Sequence, residues 1–180
     1  MIPRLQTERL LMREWRDSDL DAFAEFYGDA EVMRYLSGEA IARNDAWRNM
    51  ASAAGHWVLR GYGLWVVERK SDGAVIGRVG LINPEGWPGL EVGWTLGRPY
   101  WGEGYATESA QAAMNYGFLT QSVGRLISVI DPRNTPSQAV ARRLGETQGP
   151  DHELIIAGKS YATQIWSITR EEWRRRALLP

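Results

Sequence analysis

The stretch RPYWGEGYATESAQAAMNYGF, residues 98–118, joins a glycine turn directly to a helix. Gly102 and Gly104 lie among aromatic residues, and from 107 to about 120 the apolar positions recur at helical spacing. Glycine lets a ligand approach the backbone, and the first turn of a helix presents unpaired N–H groups with a partial positive charge. The turn, opening a helix at about Ala106, therefore predicts an anion site, typically for pyrophosphate. The glycines alone fit a tight connection without a ligand equally well.

Predicted strands flank this helix on both sides. Residues 90–97, LEVGWTLG, alternate between an apolar face and a nearly bare face that carries Glu91, Gly93, Thr95 and Gly97. Residues 125–131, RLISVID, are apolar at both parities, as in a strand buried on both faces. Strand, helix and strand form one βαβ unit, so the two strands are expected to be parallel with a right-handed crossover.

The remaining pattern predicts one domain, residues 1–180, of the α/β or α+β class with a mixed sheet. Further strands are predicted at 8–15, 63–69, 74–82, 152–157 and 161–168. Helices are predicted from Asp17 to Gly28, from Asp29, over about 44–61, over 136–144 behind a capping box, and over the basic tail 170–179.

Composition excludes several classes of site. The chain has no cysteine, so disulfides and thiolate metal sites are absent, and its two histidines lack a metal-binding spacing. A formal net charge of -1 gives no indication of nucleic-acid binding. No apolar run approaches the roughly 20 residues of a membrane span and no signal-peptide core is present, so a cytoplasmic protein is the expectation.

Other phosphate and hydrolase motifs do not match. A Walker A loop requires Gly-Lys-Ser/Thr, and a dinucleotide fingerprint requires a third glycine where this chain has Thr107. The serine-hydrolase motif Gly-x-Ser-x-Gly is also missing from the sequence.

Three segments together carry a family resemblance: TERLLMREW at 7–15, EVGWTLGRPYWGEGYATES at 91–109, and DPRNTPSQAVARRLGE at 131–146. They resemble the GNAT superfamily of acyl-CoA-dependent N-acetyltransferases, and within it the ribosomal-protein N-terminal acetyltransferase branch. The resemblance extends from residue 7 to about 173. It implies the GNAT fold, a mixed and mostly antiparallel sheet whose central parallel strand pair splays apart, flanked by helices.

The resemblance also implies acetyl-CoA as co-substrate and assigns residues to it. Family members hold the coenzyme with a Gln/Arg-x-x-Gly-x-Gly/Ala turn, whose frame begins here at Pro99, a departure from Gln or Arg. The implied pyrophosphate-binding main-chain groups are those of Gly102, Glu103, Gly104, Tyr105, Ala106 and Thr107. The pantetheine arm would lie in the splay, where Trp94, Thr95 and Leu96 supply the candidate oxyanion donor, and Asn134 would hold the coenzyme or its loop.

Two residues are candidates for catalysis. By the resemblance, Ser137 matches the branch's general acid and would return a proton to the departing thiolate. Glu91 is a carboxylate on the bare strand face and is the candidate to accept the amine proton directly or through water, although many family members use only a water chain; Glu146 and Glu153 are weaker candidates. The residues alone leave simpler roles open, with Ser137 an ordinary residue of a capped helix and Glu91 a member of a surface salt bridge.

The predicted activity is transfer of the acetyl group to a primary amine, either a protein N-terminus or a small molecule. The acceptor is expected between the helical segment 17–60 and the loop near 146–160, with Trp47, Trp57, Trp87 and Tyr35 as candidate walls. The alternative is a non-catalytic acyl-CoA-binding or partner-binding module on the same fold. No metal, nucleic-acid or membrane partner is expected, and the chain is expected to be a monomer or homodimer.

Overall fold

The computed structural model describes residues 2–156 and 158–177. Eight strands form one sheet: β1 (Leu5–Gln6), β2 (Leu10–Arg13), β3 (Leu64–Arg69), β4 (Val75–Ile82), β5 (Glu91–Leu96), β6 (Arg125–Ile130), β7 (Thr147–Ile156) and β8 (Lys159–Thr169). The helices are α1 (Leu20–Gly28), α2 (Ala30–Met33), α3 (Arg43–Arg60), α4 (Tyr105–Thr120), α5 (Thr135–Leu144) and α6 (Arg170–Ala177).

The strand order is β1-β2-β3-β4-β5-β6-β8-β7, and β5 with β6 is the parallel pair among otherwise antiparallel neighbours in the described residues. Helix α4 connects these two strands, because a parallel connection needs a crossover. The predicted fold class, a mixed sheet around one parallel pair with flanking helices, is confirmed.

Helices cover both faces of the sheet. On one face α4 packs Ala113, Met114 and Phe118 against buried strand residues such as Leu81 and Val92. On the other face α1 and α3 pack around Val66 of β3, and this second cluster contains Phe23, Phe26, Tyr27 and Met50. Neighbouring strand residues point to opposite faces, so Glu91, Gly93 and Thr95 face the α1–α3 layer.

Two predicted boundaries differ from the structure. The strand predicted at 8–15 is present as β2 but is shorter, Leu10–Arg13; the residues before it turn the chain from β1 into β2, where the Thr7 hydroxyl accepts from the Leu10 N–H at 3.0 Å. The tail strands are longer than predicted and pair as the β7–β8 hairpin. Ala157 and the tail positions Leu178 and Leu179 of the predicted elements lie outside the described residues.

None of the helices in the described ranges combines the length and the apolar character needed to cross a bilayer.

Candidate active site

Strands β5 and β6 touch at one end and then separate. A single register pair, Glu91 with Ile127, joins them, and the Ile127 N–H donates to the Leu90 carbonyl at 3.0 Å. Beyond this point a cavity of about 550 Å³ opens, lined by β5, β6, the start of α5, the α1–α2 region and the β7–β8 hairpin. The splay is therefore a gap in the middle of the sheet.

The peptide groups of β5 alternate in direction, and this determines which of them face the gap. The carbonyls of Leu90 and Val92 accept bonds from β6, whereas the Gly97 N–H donates to Ile76 of β4. Even-numbered residues of β5 thus turn their N–H and C=O toward the gap. Among the candidate oxyanion donors, the Trp94 N–H faces the splay. The main chain of Thr95 pairs with Arg78 of β4, so Thr95 presents its side chain to the cavity.

The glycine turn has the geometry that anion binding requires. Gly102 and Gly104 have φ of 80° and 81°, and Gly104 is the N-cap of α4 without a side-chain cap. The helix begins at Tyr105, one residue earlier than predicted. The N–H groups from Gly102 to Thr107 donate to no acceptor in the described part of the chain. A row of free N–H groups at a helix start favours a bound anion.

Residues that the sequence analysis did not select brace this turn. Arg9 forms a 2.7 Å ion pair with Glu108 in the first turn of α4, and its Nη1 donates to the Glu103 carbonyl at 3.0 Å. The indole N–H of Trp101 donates to the Leu96 carbonyl at 2.8 Å and ties the turn to the end of β5. Arg9 lies in the segment that carried the family resemblance, but its partner is 99 residues away in sequence, so only the fold reveals the contact.

Ser137 lies at the first turn of α5, at the wall of the cavity. The Asn134 side chain caps the helix by accepting from the Ser137 N–H at 3.2 Å. The indole N–H of Trp94 donates to Ser137 Oγ at 3.2 Å. Because an indole N–H is a donor only, the serine oxygen accepts here and its own proton stays available to another acceptor.

Glu91 is buried, with 7% of its surface exposed, and it forms no ion pair among the residues described. Its carboxylate accepts from the Trp87 indole N–H and from the Val129 N–H at 3.3 Å. Burial raises the pKa of Glu91 to about 7, against the opposing effects of these bonds and of the Arg78 charge. The surface salt bridge considered for Glu91 is wrong, because the carboxyl is buried and bonds to Trp87 and Val129 rather than to a basic side chain.

Glu146 is a second buried carboxyl, 3% exposed, at the start of β7. Ser128 Oγ lies 2.8 Å from the Val92 carbonyl and 3.0 Å from Glu146 Oε1. The hydroxyl has one proton, and a carbonyl can only accept, so both bonds form when Ser128 donates to Val92 and a protonated Glu146 donates to Ser128. Burial, together with the Glu91 charge, raises the pKa of Glu146 to about 8. The chain Glu146–Ser128–Val92 holds β6 against β5 where the splay begins.

The structure divides the candidate wall residues. Tyr35 and Trp87 line the cavity, whereas Trp57 is buried against Trp65 and Trp47 is 50% exposed away from it. Gly97 packs against α1, since a Cβ there would lie 2.3 Å from the Phe26 ring, but Gly93 is open to the cavity. Glu153 bonds the Ser160 hydroxyl on the β7–β8 hairpin, outside the cavity wall.

A splayed parallel pair beside a helix start with free N–H groups in the described residues, with a serine hydroxyl and a buried carboxyl at the gap, is an arrangement suited to acyl transfer. The sequence profile of the acetyltransferase (GNAT) domain family matches residues 9–147. The chain belongs to this family of acetyltransferases. No group of three potential metal ligands occurs in the described ranges.

Individual relatives agree with this assignment. The uncharacterised protein YkkB of Bacillus subtilis is 34% identical over 151 residues, covering 79% of this chain and 84% of the relative. The [ribosomal protein uS5]-alanine N-acetyltransferase of Escherichia coli is 25% identical to this chain, and the match covers 94% of this chain and 92% of the relative. An acetyltransferase from Agrobacterium tumefaciens, known from its crystal structure, is 28% identical to this chain in sequence. The two structures superpose with a TM-score of 0.81 over 93% of this chain and 95% of the relative. The resemblance to the ribosomal-protein branch is thereby confirmed.

Proposed function

We propose that this chain transfers the acetyl group of acetyl-CoA to a primary amine, with the reaction taking place in the gap between β5 and β6. The observation that carries the proposal is the alignment of free N–H groups. Those from Gly102 to Thr107 would bind the pyrophosphate, and the exposed edge of β5 would pair with the pantetheine arm like an added strand. The two sets of donors lie at successive points along one extended ligand.

The acid and the base approach from opposite faces of the sheet. Trp94 and Ser137 lie on the side of α4 and α5, and Glu91 lies on the side of α1 and α3. A sheet without a gap would separate them. Because the strands splay, a thioester placed in the gap is accessible to a proton donor from one side and to an amine with its base from the other.

The amine nitrogen attacks the thioester carbon while Glu91, in its ionised form, accepts the amine proton directly or through water. The Trp94 N–H donates to the developing oxyanion. The carbon–sulfur bond breaks, and Ser137 Oγ gives its proton to the departing thiolate. Solvent returns a proton to Ser137 and removes the one that Glu91 took.

Thermal unfolding with acetyl-CoA tests the binding half of the proposal, with NAD and ATP as controls. Ligand at about 100-fold its Kd adds about 2.7 kcal/mol of stability, a shift of several degrees. A shift specific to acetyl-CoA, together with amine-dependent release of free CoA thiol, supports the enzyme. Binding without thiol release over a broad amine panel would favour the non-catalytic acyl-CoA-binding module instead.

A further inference from the structure

The acceptor side of the cavity contains a cation, Arg78, that forms no ion pair within the described residues. Arg78 lies on β4 directly opposite Thr95, so its side chain is on the α1–α3 face together with Glu91 and Gly93. It is half-buried, and its guanidinium carbon sits 5.4 Å from the centre of the Tyr27 ring. Contact with the ring face holds the guanidinium in place at the wall.

Arg78 has no carboxylate within ion-pair distance and no hydrogen-bond partner in the described residues. Tyr27, which lines the same cavity, is 1% exposed, and its hydroxyl has no hydrogen-bond partner there either. Buried polar groups in folded proteins are normally satisfied, and an unsatisfied one calls for an explanation. The Tyr27 hydroxyl is such a group, and the half-buried Arg78 guanidinium beside it has no acceptor among the described residues. Together they indicate a position at this wall where a ligand completes the bonds.

The chemistry of this pair selects the ligand group. A guanidinium only donates hydrogen bonds, and a phenol can donate one, so the complementary group is an oxygen acceptor with negative charge. Arg78 is the single cationic side chain among the described residues that line this cavity. Two carboxylates also line the cavity, Glu91 and Asp131, and Asp131 is paired with Arg133 at 2.7 Å. One positive charge therefore matches a carboxylate better than a phosphate dianion, which would add a further negative charge beside Glu91.

The path from Arg78 to the reaction site is open. Gly93 lies between Thr95 and Glu91 on the shared strand face, and even a Cβ at Gly93 would have Glu91 Oε1 at 3.5 Å as its nearest neighbour. The positive charge of Arg78 also reaches Glu91, where it lowers the pKa of the carboxyl. A short ligand can therefore contact both side chains across the glycine.

We propose that Arg78 and Tyr27 bind a carboxylate of the acceptor, so that the acceptor is a small amine that carries a carboxylate on the same molecule. This inference rests on the proposed acetyl transfer, since it assigns the other end of the acceptor to the Glu91 side of the gap. The cavity of about 550 Å³ has to contain both the acetyl end of the thioester and the acceptor, which fits a molecule of amino-acid size.

Matched probes test the inference. Glycine, β-alanine, 4-aminobutyrate and L-phenylalanine are each compared with their amides, and 2-aminoethylphosphonate is compared with β-alanine. Two readouts are used: kcat/KM from release of free CoA thiol, and thermal stabilisation of the CoA-saturated protein by each probe. We expect at least one acid to exceed its amide roughly 10-fold or more in both readouts, as expected for a hydrogen bond to a charged group.

Substitutions test whether the preference for acids over amides depends on Arg78 and Tyr27. Arg78→Gln is expected to reduce the acid-to-amide ratio roughly 10- to 100-fold, Arg78→Lys less, and Tyr27→Phe a few-fold. Arg125→Gln is the matched control, because Arg125 is an exposed strand arginine without an ion pair in the described residues and lies outside the cavity wall. If Arg78→Gln does not fold, the acid-to-amide ratio is measured on Arg78→Lys and Tyr27→Phe instead.

The outcomes separate this inference from the proposed function. Equal use or equal binding of acids and amides, or an acid preference that survives Arg78→Gln, overturns the carboxylate site and leaves acetyl transfer intact. A stronger response to the phosphonate than to β-alanine overturns the choice of carboxylate. Absence of both acetyl-CoA stabilisation and thiol release instead contradicts the proposed function itself.

Discussion

The indole N–H of Trp94 donates to Ser137 Oγ across 3.2 Å, and this bond connects the splayed strand β5 to the first turn of α5. It commits a lone pair of the serine oxygen and leaves the hydroxyl proton for another acceptor. The same residue, Trp94, turns its backbone N–H toward the gap. One residue thus positions the candidate acid with its side chain and the candidate oxyanion donor with its main chain.

Ser137→Ala removes the proposed proton donor and leaves the helix cap, because the cap uses the backbone N–H of residue 137. We expect kcat to fall roughly 100-fold or more, in the range attributed to general acid catalysis, while acetyl-CoA still stabilises the protein. Thiol release and thermal unfolding measure the two effects. Ser122→Ala, an exposed serine outside this cavity, is the control. A Ser137→Ala enzyme with wild-type turnover would show that the thiolate takes its proton elsewhere.

Glu91 predicts a pH dependence for acetyl transfer. Only the ionised carboxyl can accept the amine proton, and burial places its pKa at about 7. The rate should therefore rise with pH through about 7, separately from any further rise at higher pH that deprotonation of the amine itself causes. Glu91→Gln should lower kcat and remove this rise, and a pH–rate profile of both proteins measures it. If the variant keeps both the rate and the rise, the base is not Glu91.

The raised pKa of Glu146 predicts that stability changes with pH in the direction opposite to that caused by an ordinary ion-paired carboxylate. Its pKa is raised from 4.5 to about 8, so between these values the folded state holds a proton that the unfolded state has lost. Stability therefore falls as pH rises through this window, by up to about 1.4 kcal/mol per pH unit for one proton.

Glu146→Gln keeps a donor toward Ser128 and removes the titration. We expect the variant to lose less stability than the wild type between pH 5 and 8, measured by urea unfolding at several pH values. Glu153→Gln, at an exposed carboxyl on the β7–β8 hairpin, is the control. Parallel stability curves for wild type and Glu146→Gln would mean that Glu146 is ionised in the folded protein.

Gly102 predicts a backbone effect on coenzyme binding. Its φ of 80° lies in the left-handed region, which costs an L-residue roughly 1–2 kcal/mol. Gly102→Ala should therefore lower Tm and, by displacing the N–H groups of the turn, weaken acetyl-CoA binding. Gly124→Ala is the matched control for Gly102→Ala. An added Cβ has open space at both positions, but Gly124 has no positive φ. Titration calorimetry with acetyl-CoA compares the two, and equal affinities would remove the turn from the binding site.

The sequence by itself determined the order of elements, the parallel βαβ unit and the family. The elements and the βαβ unit depend on local signals, namely helical spacing in α4, alternation in β5, the capping box at α5 and the glycine turn, each of which acts within a few residues. The family came from the resemblance of the segments 7–15, 91–109 and 131–146. The positions of Ser137 and of Gly102 to Thr107 were accessible to sequence reasoning for the same reason, although their roles in catalysis and binding remain predictions.

Only the tertiary structure decided what surrounds these residues. The burial of Glu91 under Trp87, the Trp94–Ser137 bond, the Glu146–Ser128–Val92 chain and the Arg9–Glu108 brace all join residues that face each other through the sheet order and the splay. A pKa depends on solvent exclusion and neighbouring charge in three dimensions, so no sequence pattern indicates that burial raises the pKa of Glu91 to about 7 and that of Glu146 to about 8. Likewise, only the tertiary structure brings β4, α1 and the cavity together and shows that Arg78 forms no ion pair within the described residues.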